Sequence, residues 1–315
     1  MGRPREKIIV SIGGNALIKR GETGTIEEQF DNARKACEFI ARLSAAGKNI
    51  IVTHGNGPVV GNIVIRNEAA RNSIPPMPLY ICDADSEGGI GFMIQQTLYN
   101  WLLKSRGMKE VVAVVTQVVV DRLDPAFKNP SKPIGPFYTL DEARALEARG
   151  WAMVEDSHRG YRRVVPSPRP RRVVESAVIR RLAESGVIVI AAGGGGVPVC
   201  ENGDGALKGV DAVIDKDLAT SLLARETGAE RFINLTQIDM VYLDFGKSGR
   251  RGLKKMNVRD ARRYLEAGEF PPGSMGPKIE AAIEFIECGG KEVIITSPET
   301  IESAMRGEGG TRLHA

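Results

Sequence analysis

Four glycine-rich turns, each following or flanking an apolar β-like run, limit this chain's fold more than any other feature. They are Gly13-Gly14-Asn15, His54-Gly55-Asn56-Gly57-Pro58, Gly193-Gly194-Gly195-Gly196 and Gly273-Ser274-Met275-Gly276-Pro277-Lys278. Glycine lets the backbone come close to a ligand and aim bare N–H groups at it. Several such turns where strands meet helices make a site for a charged anion, and phosphate is the obvious candidate.

Between the turns, strand and helix alternate. Residues 7–12, 49–53, 111–120, 187–192, 231–235 and 291–296 read as apolar strands. Thr25-Ile26-Glu27-Glu28 is a capping box, and behind it Phe30, Ala33, Cys37, Ile40 and Leu43 recur at helical spacing until Gly47. Further helical patterns cover 86–106, 173–185, 215–227 and 277–288. Alternation with strands apolar throughout predicts an α/β fold, a three-layer αβα sandwich around a mainly parallel sheet. Ligands of such sheets bind beyond the carboxyl ends of the strands, where these glycines sit. Residues 121–170 break the rhythm. They are rich in proline, arginine and lysine, carry one helix-like piece at 140–149, and are too long for a connection. They read as a protruding lid subdomain.

A net charge of +4 over 315 residues predicts no nucleic-acid or membrane partner, although anionic small molecules fit it. The basic run at 159–172 lacks the interleaved aromatics that stack RNA bases. Cys37, Cys82, Cys200 and Cys288 show no C-x-x-C spacing, which suggests reduced thiols and the cytoplasm. With three histidines no His-rich metal site is recognisable. The N-terminus lacks a signal-peptide core, and no apolar stretch is long enough to cross a bilayer.

P-loop, nucleophile-elbow and protein-kinase motifs are absent. Gly55-x-Gly57-x-x-x-Gly61 is a loose dinucleotide fingerprint with Asp83 or Asp85 as a ribose partner, so a dinucleotide-dependent oxidoreductase is the rival reading. It leaves the paired Gly-Asn turns and the lysines unexplained. Backbone amides of Gly13-Gly14-Asn15 and Gly55-Asn56-Gly57, at successive strand ends, can clamp a phosphoryl group in transfer. Lys216, in Val213-Ile214-Asp215-Lys216-Asp217, lies where a strand-like run becomes a helix, and Lys278 follows Pro277 at a helix start. Phosphoryl transfer needs such fixed cations because protein covalent chemistry contributes little. Asp211, Asp215 and Asp217 are candidates to hold Mg²⁺ or to orient Lys216. His54 suits a structural or oxyanion-facing role better than that of a general base.

At these residues the chain resembles the amino acid kinase superfamily, and within it the carbamate kinases. The matching blocks run in order over nearly the whole chain: Ile12 to Leu17, His54 to Pro58, Gln95-Gln96, Lys128 to Tyr138, Arg162 to Pro168, Ala191 to Pro198, Val213 to Asp217 and Gly273 to Lys278. The resemblance implies reversible phosphoryl transfer between ATP and carbamate, with Mg²⁺. Carbamate's attacking oxygen is already anionic and needs no base. The first two glycine turns would hold the phosphoryl group and carbamate, joined by Gly194 and Gly195, within an N-terminal lobe of residues 1–205. Residues 206–315 would bind the nucleotide through Asp215, Lys216, Thr236, Asp239, Val241, Tyr242, Ser274, Met275 and Lys278. Many relatives carry a lysine two residues before the Gly-Gly pair. Here that position is Ser11, and Lys132 from the lid, with Lys128 as second candidate, would supply the missing charge and help exclude water. A homodimer is implied, as is a related small-acid kinase as the alternative activity.

Overall fold

The strand Lys7–Ile12 is buried along its whole length. A segment with no polar face needs partners on both edges and cover on both sides, and it sits centrally in an eight-stranded sheet. The computed structural model describes residues 5–19, 21–105, 107–155, 160–271 and 273–315, with Asn15 and Ala16 described by backbone alone. The sheet order is Lys255–Asn257, Thr311–His314, Glu292–Thr296, Arg231–Leu235, Lys7–Ile12, Asn49–His54, Ile188–Ile190 and Val111–Ala113. Neighbours are parallel except that Thr311–His314 runs antiparallel to Glu292–Thr296.

The period of two sorts the strand side chains into two cores. Ile9, Ile51, Val189, Phe232, Val293 and Ile295 pack with Ile179, Leu223, Ala261 and Ile283, from four helices on one face. Ile8, Val10, Ile50, Val52, Ile233 and Ile294 pack with Phe39, Ile40, Ile94, Leu98 and Ile301 from three helices on the other. The sandwich therefore has the three expected layers. The capping box is present: Glu28 N donates to Thr25 Oγ1 at 3.3 Å and Thr25 N to Glu28 Oε2 at 2.9 Å.

Two elements differ from the sequence reading. The run 111–120 is two strands, Val111–Ala113 in the main sheet and Gln117–Val120 in a separate four-stranded sheet with Leu207–Gly209, Val197–Glu201 and Pro170–Val173. The break is at Thr116, whose hydroxyl donates to Val114 O at 2.7 Å and accepts from Ala192 N at 2.9 Å. Helix Leu79–Lys104 begins seven residues before the expected 86. Its first amide, Leu79 N, is satisfied by Asp211 Oδ1 at 2.9 Å, a partner no local sequence window contains.

The described residues between 121 and 170 form elements of their own outside the main sheet. Lys132–Tyr138, Tyr161–Val165 and Ala152–Glu155 form an antiparallel sheet, and helix Leu140–Glu147 has its own Thr139/Glu142 capping box. Arg163 stacks 4.0 Å over Trp151, which accounts for part of the basic run. Arg169, Arg171 and Arg172 pair with Glu280 and Glu284, with Asp121, and with Glu201. The unit docks on helix Gly57–Ala70, where a Cβ on Gly61 would fall 2.2 Å from Gly135 Cα. Gly61 therefore has no room for a side chain, and Gly135 is held at φ +71°, a conformation that favours glycine. Among the described residues no helix is long and apolar enough to cross a membrane. Cys37, Cys82, Cys200 and Cys288 are free thiols.

Candidate active site

Parallel pairing of Lys7–Ile12 with Asn49–His54 puts their following turns side by side. A Cβ on Gly55 would lie 2.5 Å from Gly14 N, and one on Gly14 would lie 3.5 Å from Gly57 N. Gly13 N and Gly55 N continue the sheet, donating to Leu235 O at 2.9 Å and Ile12 O at 2.8 Å. The helices Gly14–Leu17 and Gly57–Ala70 start immediately after, and neither has a side-chain cap. Two uncapped helix starts thus meet at one point, with first-turn amides suited to an anion. The side chain of Asn15 lies outside the described residues.

The lysines converge beside these turns. Asp215 caps helix Lys216–Thr227 through its Oδ1, 2.9 Å from Asp217 N, which fixes Lys216 and Asp217 in the first turn. Lys216 Nζ lies 2.8 Å from Ser11 Oγ and 2.7 Å from Asp217 Oδ1. Lys278, in the first turn of helix Met275–Glu287, places Nζ 2.8 Å from Asp217 Oδ2. Asn234 Nδ2 adds a bond of 2.8 Å to Asp217 Oδ1. Burial alone would raise the Asp217 carboxyl, but the two ammoniums outweigh it and hold it well below the ordinary carboxylate range. For Lys216 burial dominates and pushes its pKa down to about 8, with Lys278 adding to the lowering and Asp217 opposing it.

Lys132 reaches this group from the protruding unit, its Nζ 2.6 Å from Asp215 Oδ2. Ser11, two residues before Gly13 on the first strand, is therefore the seat of Lys216, and Lys132 attaches to the cap of the same helix. Lys128 is exposed at the end of the turn Pro125–Phe127.

Other expected residues take different places. Gly193 and Gly194 make room for neighbours: a Cβ would fall 2.3 Å from His54 Nε2 and 2.2 Å from Asn56 Nδ2, respectively. Gly195 N donates to Ala192 O at 3.1 Å, so it offers no amide to a ligand. Val241 is fully buried in the core, and its amide donates to Thr311 Oγ1 at 2.8 Å. Thr236 N donates to Thr296 O at 2.8 Å. Asp239 accepts from the Tyr242 hydroxyl at 2.8 Å, with Arg250 4.7 Å over the Tyr242 ring. Ser274 is exposed just before the helix, and Met275 packs partly against the core.

The described acids proposed for a metal are taken up by protein groups. Asp211 caps a helix, both oxygens of Asp215 are engaged, and Asp217 carries two lysines. Among the described residues no group of three or more His, Cys, Asp or Glu side chains is placed to hold a metal ion.

Sequence reasoning missed a buried polar layer behind the turns. His54 is fully buried, and burial pulls its pKa down to about 4. Glu87 accepts from Gly193 N at 2.8 Å and Thr116 N at 3.1 Å, and burial pushes its pKa up to about 8. Both line a cavity of about 230 Å³ that neither Lys216 nor Lys278 reaches. Burial also raises Asp83 well above the carboxylate range, and Asp83 sits under Asn56. The signal available was the i, i+4 spacing of Asp83 and Glu87, which puts two acids on one buried helix face. The dinucleotide reading loses its parts: Gly61 packs on Gly135, Asp83 is buried against Asn56, and Asp85 is exposed on the helix.

The sequence matches the model of the amino acid kinase family over residues 6–297. It is 48% identical over 312 residues to a carbamate kinase of Pyrococcus furiosus, covering 98% of this chain and 99% of that protein. It is 46% identical over 313 residues to a carbamate kinase-like protein of Escherichia coli, again over 98% and 99% of the two chains. The structure superposes on that of the Giardia lamblia carbamate kinase bound to AMP-PNP with a TM-score of 0.91, at 41% identity and 98% coverage of both chains.

Proposed function

The chain belongs to the amino acid kinase family, within its carbamate kinase group, and from that premise we propose that it transfers a phosphoryl group between ATP and carbamate, giving ADP and carbamoyl phosphate. The observation that carries this reading is the meeting of Lys216 and Lys278 on Asp217, beside the paired turns at Gly14 and Gly55.

The carbamate oxygen attacks the γ-phosphorus in line, the bond to the ADP oxygen breaks, and charge spreads over the equatorial oxygens. Amides at the starts of helices Gly14–Leu17 and Gly57–Ala70 and the ammoniums of Lys216 and Lys278 are preorganised for that charge. Asp217 holds both ammoniums in place. Lys132 closes the site from the protruding unit and limits water, which matters for a labile carbamate. His54, neutral and buried, takes no proton. Mg²⁺ would come bound to the nucleotide and offset charge on its phosphates, since Asp211, Asp215 and Asp217 are engaged by protein groups. In this reading residues 1–205 carry the carbamate side and 206–315 the nucleotide side.

A homodimer is part of the proposal. Phe92, Tyr99 and Leu103 stand exposed along one side of helix Leu79–Lys104, 57%, 47% and 54% accessible, and Val115 beside the edge strand is 53% accessible. Such a stripe favours a second copy. Cytoplasmic residence accords with the free thiols, and a place in arginine metabolism rests on the carbamate reading alone. The test of function is ATP formation from carbamoyl phosphate and ADP, with titration of ADP against NADH beside it. Absence of ATP formation, or binding of NADH in place of ADP, overturns the reading.

A further inference from the structure

The Asn56 carboxamide is oriented by a set of groups that leaves only one arrangement. Its Nδ2 lies 2.8 Å from Ser86 Oγ and 3.2 Å from Asp83 Oδ1. Ser86 uses its hydroxyl proton on Asp83 O, at 2.7 Å. The Ser86 Oγ then has only lone pairs left for Asn56, so the group facing it must be the NH₂ of Asn56. Gly194 covers one face of the carboxamide, since a Cβ there would fall 2.2 Å from Nδ2. Asn56 is 3% exposed, yet its Oδ1 accepts from no described residue and is not among the fully enclosed polar atoms lacking partners. Among the described residues this carbonyl-type acceptor therefore remains open at a nearly closed position, between Gly55 and Gly57 of the turn that touches Gly14.

We propose that Asn56 Oδ1 reads the NH₂ group of the substrate, with Ser86 and Asp83 as the residues that aim it. This rests on the reading of the site as one for carbamate and carbamoyl phosphate, and it assigns the discrimination against acyl phosphates that carry a methyl group in the same place. Acetyl phosphate has the same shape and charge but brings no N–H to Oδ1, and that oxygen would lose solvent without gaining a bond. Sites built to bond a substrate N–H reject the analogue lacking it by as much as about 10⁴-fold.

The experiment measures ATP formation from ADP with carbamoyl phosphate and with acetyl phosphate, and compares kcat/KM for the two donors. The wild-type chain should prefer carbamoyl phosphate by roughly 10²-fold or more. Asn56→Ala should lower that ratio by roughly 10-fold or more, chiefly through the carbamoyl phosphate arm. Ser86→Ala frees the carboxamide to rotate and should lower the ratio in the same direction. A loss of folding does not move a ratio of donors, and ADP-induced thermal stabilisation checks that each variant keeps its nucleotide half. If Asn56→Ala is not folded, the ratio in Ser86→Ala decides. An unchanged ratio overturns the proposal. A wild-type chain that makes ATP from neither donor instead overturns the carbamate reading beneath it.

Discussion

Lys278 Nζ and Asp217 Oδ2 lie 2.8 Å apart although 61 positions separate them in the chain. The same carboxylate holds Lys216 through its other oxygen. Two cations at the ends of different helices are thereby set at a fixed separation before any phosphate arrives.

Removing that carboxylate should be costly twice. In Asp217→Asn the buried ammoniums lose their counter-charge, and stability should fall by about 3–5 kcal/mol, the range for breaking a buried pair. Turnover should fall by roughly 10²-fold or more from lost charge positioning. Thermal denaturation and a coupled ATP assay read the two effects. Wild-type values for both would show that Asp217 is not the organiser.

The pH profile should carry the mark of Lys216. Its pKa is about 8 in the folded chain against an ordinary 10.5, so kcat/KM should fall as pH rises through about 8. Bound phosphates favour the charged amine, so the same limb in kcat should appear at higher pH. Between about 8 and 10.5 the unfolded chain binds the extra proton, so this group's contribution to unfolding free energy rises with pH. Activity and that part of stability thus move in opposite directions. Lys216→Arg should abolish the limb near pH 8, whatever activity it keeps. No acid limb near 6.5 should come from His54, whose pKa is lowered to about 4.

Lys132→Ala should slow turnover by roughly 10²-fold while ADP affinity measured by calorimetry stays within a few-fold. Its Nζ bonds Asp215 from a different unit, so the nucleotide side keeps its own lysines. A fully active variant would remove the closing role of the protruding unit.

Gly61→Ala tests the same unit from a distance. The added Cβ meets backbone at 2.2 Å, so the sheet bearing Lys132 must move away. A stability loss of about 1–3 kcal/mol is expected for overpacking, with turnover impaired and ADP binding kept. An active, stable variant would mean that the docking tolerates displacement.

The sandwich was legible because strand and helix periods alternate cleanly and the glycine turns follow the strands. The positions of Lys216 and Lys278 at helix starts were legible in the sequence, whereas Lys132 came only from the resemblance of its block. What was not legible depends on partners far away in sequence. Leu79 begins a helix because Asp211 caps it. Gly194 reads like a phosphate-binding glycine, but in the fold it clears space for Asn56. Val241 reads as part of a nucleotide segment, but its side chain belongs to the core. The layer of His54, Asp83 and Glu87 carries no motif, because its character comes from burial, which spacing hints at without fixing.

The central strand Lys7–Ile12 takes one of its two hydrogen-bonding partners from Arg231–Leu235. On a ribosome adding about 5–20 residues per second, that partner is made roughly ten to forty seconds later. During this interval an apolar strand has a bare edge, and for most of it the turns at Gly13 and Gly55 exist without Lys216 or Lys278. The nascent chain therefore carries an unpaired apolar edge for most of its synthesis, and its two helix-start lysines join the first turns only as the final third is made.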